Sequence, residues 1–171
     1  MKRLLRVEYF DDETPIKVYT VRFLDDNGPD EETETNKFLL TYSDSHKDEI
    51  DIFLSLLNIM QTQGVKENFL RNERNEDCRY LFALLNQDEE GNKYTGSLRL
   101  FCLYYGDNKL ILGNGSFKTT AKFQQDENLK LIAKDLQELD KVIRSKLDTG
   151  EIWWEGSDLK TNNNLNFEIE V

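Results

Sequence analysis

The chain has 171 residues, 33 acidic against 22 basic, and a formal net charge of −11, with 38% hydrophobic and 11% aromatic side chains. That is enough apolar material for one domain with a packed core and excludes wholesale disorder, while the acidic excess argues against a uniformly basic nucleic-acid binder. No stretch approaches the roughly 20 apolar residues of a membrane span, and Glu8 with the acidic run from Asp11 cuts off any apolar leader after MKRLLRVEYF, so a cytoplasmic α+β domain is expected.

Residues 4–10 and 16–24 alternate as strands. The second places Ile16, Val18 and Thr20 on one side and Tyr19, Val21 and Phe23 on the other, so it is expected to be covered twice. The acidic stretch 25–34 reads as a mobile surface loop; it lacks the alternating oxygen ligands of a calcium loop. Residues 37–42 suggest a short strand. A helix is expected to start at Ser45, capped by its hydroxyl, with Ile50, Phe53, Leu54, Leu57 and Met60 on the apolar stripe and Gly64 as the stop. Residues 66–85 mix core candidates (Phe69, Leu81, Phe82, Leu84, Leu85) with the charged run Arg71, Glu73, Arg74, Glu76, Asp77 and Arg79, and 88–96 reads as a loop.

The run 98–120, LRLFCLYYGDNKLILGNGSFKTT, reads as a tight hairpin apolar on both faces, which predicts a central strand. Gly106-Asp107-Asn108 turns it, and Gly113-Asn114-Gly115 is expected to break the ladder. From Gly91 to Gln125 there are five basic residues, Lys93, Arg99, Lys109, Lys118 and Lys122, against Asp107 alone, leaving about −15 for the rest of the chain and suggesting a local anion site. Asp126 is the expected N-cap of a second long helix with Leu129, Ile132, Leu136, Leu139 and Ile143 on one stripe and Gly150 as its stop. Residues 151–171 read as a C-terminal hairpin of two strands, in which one of Trp153 and Trp154 faces the core.

Arg99 stands out because a guanidinium inside an apolar strand is costly to bury without an anion, either a phosphate or an internal carboxylate. Lys118 and Lys122 follow the glycine turn, where they can neutralise developing phosphate charge or form an ordinary solvated surface. Tyr104, Tyr105 and Phe123 suit stacking on bases, and tyrosine can exchange a proton, but Tyr104 and Tyr105 point to opposite faces and at least one belongs to the core. Cys78 and Cys102 read as buried free thiols, and His46, the single histidine, cannot share a metal with a second one, so no cofactor or metal is expected.

The Arg-Leu-Phe strand, the turn, the second apolar strand and Gly-x-Phe-Lys-Thr, preceded by KENFLRNE, resemble the C-terminal core of RelE/HigB-like toxins of type II toxin-antitoxin systems (the RelE/ParE superfamily), in a long, phage-related form. The resemblance covers roughly a third of the chain. It implies an antiparallel sheet with two main helices, a RelE-like core over about 45–147, extra N-terminal strands and the hairpin 151–171. It also implies metal-independent cleavage of messenger RNA on the ribosome and neutralisation by a cognate antitoxin. By position, Arg99 would contact the scissile phosphate, with Lys118, Lys122 and Tyr104 as the other catalytic residues, and Tyr105, Lys109 and Phe123 would bind substrate. The family often carries a late tyrosine or histidine as acid or base, where this chain offers Phe123. The other reading is a non-catalytic acidic module on the same scaffold that binds a basic partner.

Overall fold

The computed structural model describes residues 1–73, 78–85, 98–117 and 127–171. Arg74, Glu76, Asp77, the expected loop 88–96, Lys118, Lys122, Phe123 and the expected cap Asp126 lie outside them. The fold is α+β. Strands β1 (Lys2–Tyr9) and β2 (Tyr19–Asp25) are followed by a two-residue β3 (Gly28–Pro29), helices α1 (Glu34–Tyr42) and α2 (Lys47–Gln63), and a short 3-10 turn at Glu67–Phe69. Strands β4 (Leu70–Asn72), β5 (Leu81–Leu85), β6 (Leu98–Tyr104) and β7 (Leu110–Phe117) come next, then α3 (Glu127–Thr149), β8 (Ile152–Glu155), β9 (Asp158–Thr161) and β10 (Asn166–Glu170).

The main sheet runs β10-β1-β2-β7-β6-β5-β4, with β3 attached to β2. Its pairings are antiparallel except for the parallel join of β2 to β7. Period-two alternation sends each strand's side chains to two separate cores. Tyr19, Val21, Phe23, Phe101, Leu103 and Ile111 pack under α3 and the β8-β9 hairpin, whereas Val18, Leu98, Leu100, Cys102, Leu110 and Leu112 pack under α1 and α2. The expected double cover of β2 and β6 is therefore observed.

The expected strand at 37–42 is instead α1. Thr33 supplies the cap, its hydroxyl accepting the Asn36 N–H at 3.2 Å, and the buried Thr35 hydroxyl donates to the Gly113 carbonyl at 2.9 Å. Phe38 then points inward, 1% exposed. The stretch 25–34, largely exposed, makes specific contacts: Arg22 Nη1 donates to the Asp30 and Glu31 carbonyls, and Lys37 pairs with the Asp30 carboxylate at 2.7 Å. In α2 the capping position belongs to His46, without a side-chain cap, and Ser45 Oγ bonds the His46 ring instead. Leu54 is exposed while Leu56 and Ile59 are buried, because the stripe follows the sheet below it. The α3 stripe of Leu129, Leu136, Leu139 and Ile143 is buried, and Gly150 ends the helix at a positive φ of 77°.

Two further expectations are corrected. The C-terminal segment is split: β8 pairs with β9 in a separate two-stranded sheet, and β10 returns to the edge of β1, with Phe167 opposite Leu5. Nor does Gly113-Asn114-Gly115 break the ladder. Leu100 pairs with Gly115 and Cys102 with Leu112, so the β7 strand carries an extra residue across Phe101 and continues to Phe117. Gly115 is required there, since a Cβ would stand 2.0 Å from the Arg99 carbonyl oxygen and 2.8 Å from the Phe38 ring.

Gly115→Ala should therefore destabilise the fold by about 3 kcal/mol through overpacking against backbone. A urea unfolding curve reads this as a lowered midpoint. An unchanged midpoint would show that the bulge is not held in this form.

Candidate functional site

Of the residues the sequence singled out, Arg99, Tyr104, Tyr105 and Lys109 are described, and the structure does not bring them together. Arg99 sits at the start of β6, opposite Ser116. Tyr104 ends the same strand five residues on, roughly 17 Å away at about 3.3 Å per residue, with Tyr105 and Lys109 at the turn beyond it.

That turn end is built for packing. Tyr104 is 7% exposed, its ring 5.6 Å from Phe82, and burial together with the charges of Glu67 and Asp107 pushes its hydroxyl above the usual tyrosine range. Tyr105 points to the opposite face and donates to Asp140 Oδ1 at 2.7 Å. Asp140, fully buried on α3, also accepts from Arg144 Nε at 2.9 Å and from the Cys78 thiol at 3.5 Å. Tyr105 further stacks with Tyr80 at 4.9 Å, and burial beside Asp140 holds its hydroxyl far above the ordinary value. Lys109 Nζ lies 3.8 Å from Asp107, and Asn108 Oδ1 accepts the Val65 N–H at 2.8 Å, tying the turn to the end of α2.

The opposite end of the hairpin has different chemistry. Arg99 is half-buried. Its Nη1 donates to the neighbouring Leu98 carbonyl at 3.1 Å, its buried Nε has no partner, and it forms no ion pair among the described residues. Burial and the charge of Arg71 press against its charged form, opposed by Glu73 and Glu49. Guanidinium nitrogens are donors only, so this arrangement leaves hydrogen-bonding capacity for an acceptor from outside.

Side chains that the sequence did not assign to a site gather at the same end of the hairpin. The buried Ser116 hydroxyl lies 3.2 Å from Tyr42 Oη and accepts from Asn128 Nδ2 at 2.5 Å. The His46 ring packs against Tyr42 at 5.4 Å and Phe117 at 5.1 Å, with Nδ1 2.8 Å from Ser45 Oγ. Leu98 stands opposite Phe117, and its N–H donates to Glu49 Oε1 on the first turn of α2. The sequence signalled only that His46 lies beside a helix start; its meeting with β7 depends on how α2 crosses the sheet. Among the described residues no group of three or more His, Cys, Asp or Glu side chains is arranged to hold a metal ion.

No protein-family model, no curated protein and no solved structure matches this chain. The site is accordingly read from its own geometry.

Tyr105→Phe removes a donor from a fully buried carboxylate, so stability should fall by about 2 kcal/mol in chemical denaturation. A loss near zero would show that Tyr105 is not part of the core network. Both cysteines are buried thiols, and burial raises the Cys78 thiol to about 11. At pH 8 neither should react appreciably with a disulfide reagent in the folded protein, and both should react on unfolding.

Proposed function

We propose that the chain is a RelE/HigB-like toxin that cleaves messenger RNA without a metal and is neutralised by a cognate antitoxin. The observation that carries this reading is the Arg99 guanidinium: half-buried, unpaired with any carboxylate among the described residues, and with an unbonded Nε. A cation held this way is unfavourable on its own and becomes favourable when a phosphate fills the open donors. In the implied reaction the ribose 2′-hydroxyl attacks phosphorus, so no metal is needed to generate the nucleophile. Arg99 would neutralise the charge that builds on the non-bridging oxygens.

The hairpin's turn end contributes scaffold rather than substrate contacts in this reading, because Tyr105 is engaged by Asp140 and Tyr104 is enclosed by Phe82. Lys118 and Lys122 enter through the resemblance alone. Among the described residues no helix is long and apolar enough to cross a membrane.

A net charge of −11 favours the second reading, an acidic module that binds a basic partner without catalysis, since RNA repels such a surface. One experiment separates the two. Induced expression should arrest growth, and purified protein should cleave RNA in the presence of a chelator. Arg99→Ala should lower cleavage by about 100- to 1,000-fold, as loss of a charge-stabilising donor does, while the variant stays folded. Equal toxicity and cleavage in wild type and an Arg99→Ala, Lys118→Ala double variant would reject the site, and a wild type that neither arrests growth nor cleaves RNA would reject the nuclease.

A further inference from the structure

Helix α3 does not close completely on the sheet. Between it and strands β1, β2 and β7 lies a cavity of about 310 Å³, counted out to its mouth, which is at the small end of ligand sites. The floor is apolar: Leu5, Val21 and Phe23 from the sheet and Leu136 and Leu139 from the helix, none more than 4% exposed. Ile132, Asn114, Glu34 and Asp135, all half-buried, form the rim. No residue of β6 lines the cavity, so binding here is independent of Arg99 and of RNA cleavage.

Charges of both signs surround this rim and are not spent on each other. Asp135 has neither a hydrogen bond nor an ion pair among the described residues. Burial pushes its carboxyl above the ordinary value; the Arg3 guanidinium opposes that push and Glu34 adds to it. Arg3 and Asp135 therefore lie within electrostatic reach of each other without forming an ion pair. Strand alternation puts Arg3 on the same face of β1 as Leu5, and its guanidinium sits 3.7 Å from the centre of the Phe23 ring, which belongs to the cavity floor. That stacking orients the guanidinium fork and leaves its N–H donors without an acceptor among the described residues. Glu34 is half committed: Lys37 holds Oε2 at 2.6 Å, whereas Oε1 meets the Asn114 amide at a long 3.4 Å.

We propose that this cavity binds a free aliphatic α-amino acid of leucine size, with the side chain on the apolar floor, the α-ammonium at Asp135 and Glu34 Oε1, and the α-carboxylate on Arg3. A purely apolar ligand would strip water from Asp135 and give nothing back, and a simple amine would satisfy Asp135 but leave the Arg3 donors open. A zwitterion bridges the separated acid and base at once, and its charge-assisted hydrogen bonds replace the hydration that both lose.

Calorimetry and methyl NMR on the full chain test this with L-leucine and three analogues, each missing one group: glycine the side chain, isopentylamine the carboxylate, isocaproate the ammonium. L-leucine should shift the Val21, Leu136 and Leu139 methyl resonances, and each analogue should bind at least about 10-fold more weakly, the worth of one buried side chain or one charge-assisted hydrogen bond. Asp135→Asn should weaken L-leucine by about 10-fold without weakening isocaproate, and Arg3→Gln should weaken L-leucine by about 10-fold without weakening isopentylamine. Both side chains stand at the rim, and both variants should unfold near the wild-type midpoint.

Absence of methyl shifts with millimolar L-leucine would overturn the proposal. Equal binding of L-leucine, isopentylamine and isocaproate would also overturn it, because the cavity would then be an apolar cleft that ignores charge, as would leucine binding unchanged in both variants. Tighter binding of L-leucinamide than of L-leucine would assign the site to the N-terminal residue of a peptide and overturn the free amino acid. None of these outcomes bears on the nuclease reading, which the Arg99→Ala comparison tests by itself.

Discussion

The β6-β7 ladder is covered on both faces, by α3 on one side and by α1 and α2 on the other, and this double burial decides where polar groups can sit. A polar atom on such a ladder has no water to fall back on and must find a partner inside the protein. The Gly113 carbonyl does so by accepting from Thr35 of α1, whose hydroxyl also bonds Thr20, and Ser116 by bonding Tyr42 and Asn128. The bulge at Gly113 and Asn114 is part of the same arrangement. It exposes a carbonyl to Thr35 that a regular antiparallel ladder would have used, and so joins α1 to the sheet centre. Against this background the unbonded Nε of Arg99 stands apart on β6 and β7 among the described residues.

The two ends of the hairpin divide scaffold from chemistry. At the turn end every conspicuous polar side chain is committed: Tyr105 to Asp140, Asp140 to Arg144, Asn108 to the backbone of Val65. Asp140 is the costliest group there, a fully buried carboxylate, and it is tolerable because three donors converge on it. At the other end the partners are looser and more exposed. Tyr42, His46 and Phe117 form a half-open aromatic group over the sheet end, and Arg99, one residue along from Leu98, turns its spare donors to the opposite face. An uncommitted buried donor is the kind of group whose hydrogen bonding a ligand can complete.

The acidic excess is not spread passively over the surface. Glu8 lies between Arg6 and Arg22, Asp30 and Glu34 share Lys37, and Glu168 and Glu170 face Lys2 across the β10-β1 edge. Burial of Glu8 works against its ionisation, but the two guanidiniums outweigh it and hold its carboxyl below the ordinary value. Carboxylates in these pairs link the N-terminal strands, the acidic turn and α1 to one another.

The sequence by itself determined what local periodicity can carry: the double-faced hairpin strands, the α3 stripe, the buried thiols, and Arg99 as a charge in an apolar strand. Periodicity reports which side of an element is apolar, and that is a property of a few neighbouring residues. It was silent or misleading where the outcome depended on distant partners. The segment 37–42 is too short for a helical period to show, and its helix depends on the Thr33 cap and on Thr35 finding Gly113 across 78 residues. The residues of β10 read as half of a hairpin because nothing local reveals that the open edge of β1 lies within reach. Tertiary structure alone decided that Tyr105 belongs to a buried carboxylate and that His46 meets the end of β7, because both follow from the angle at which a helix lies across the sheet, which is set by the whole buried interface rather than by any segment of it.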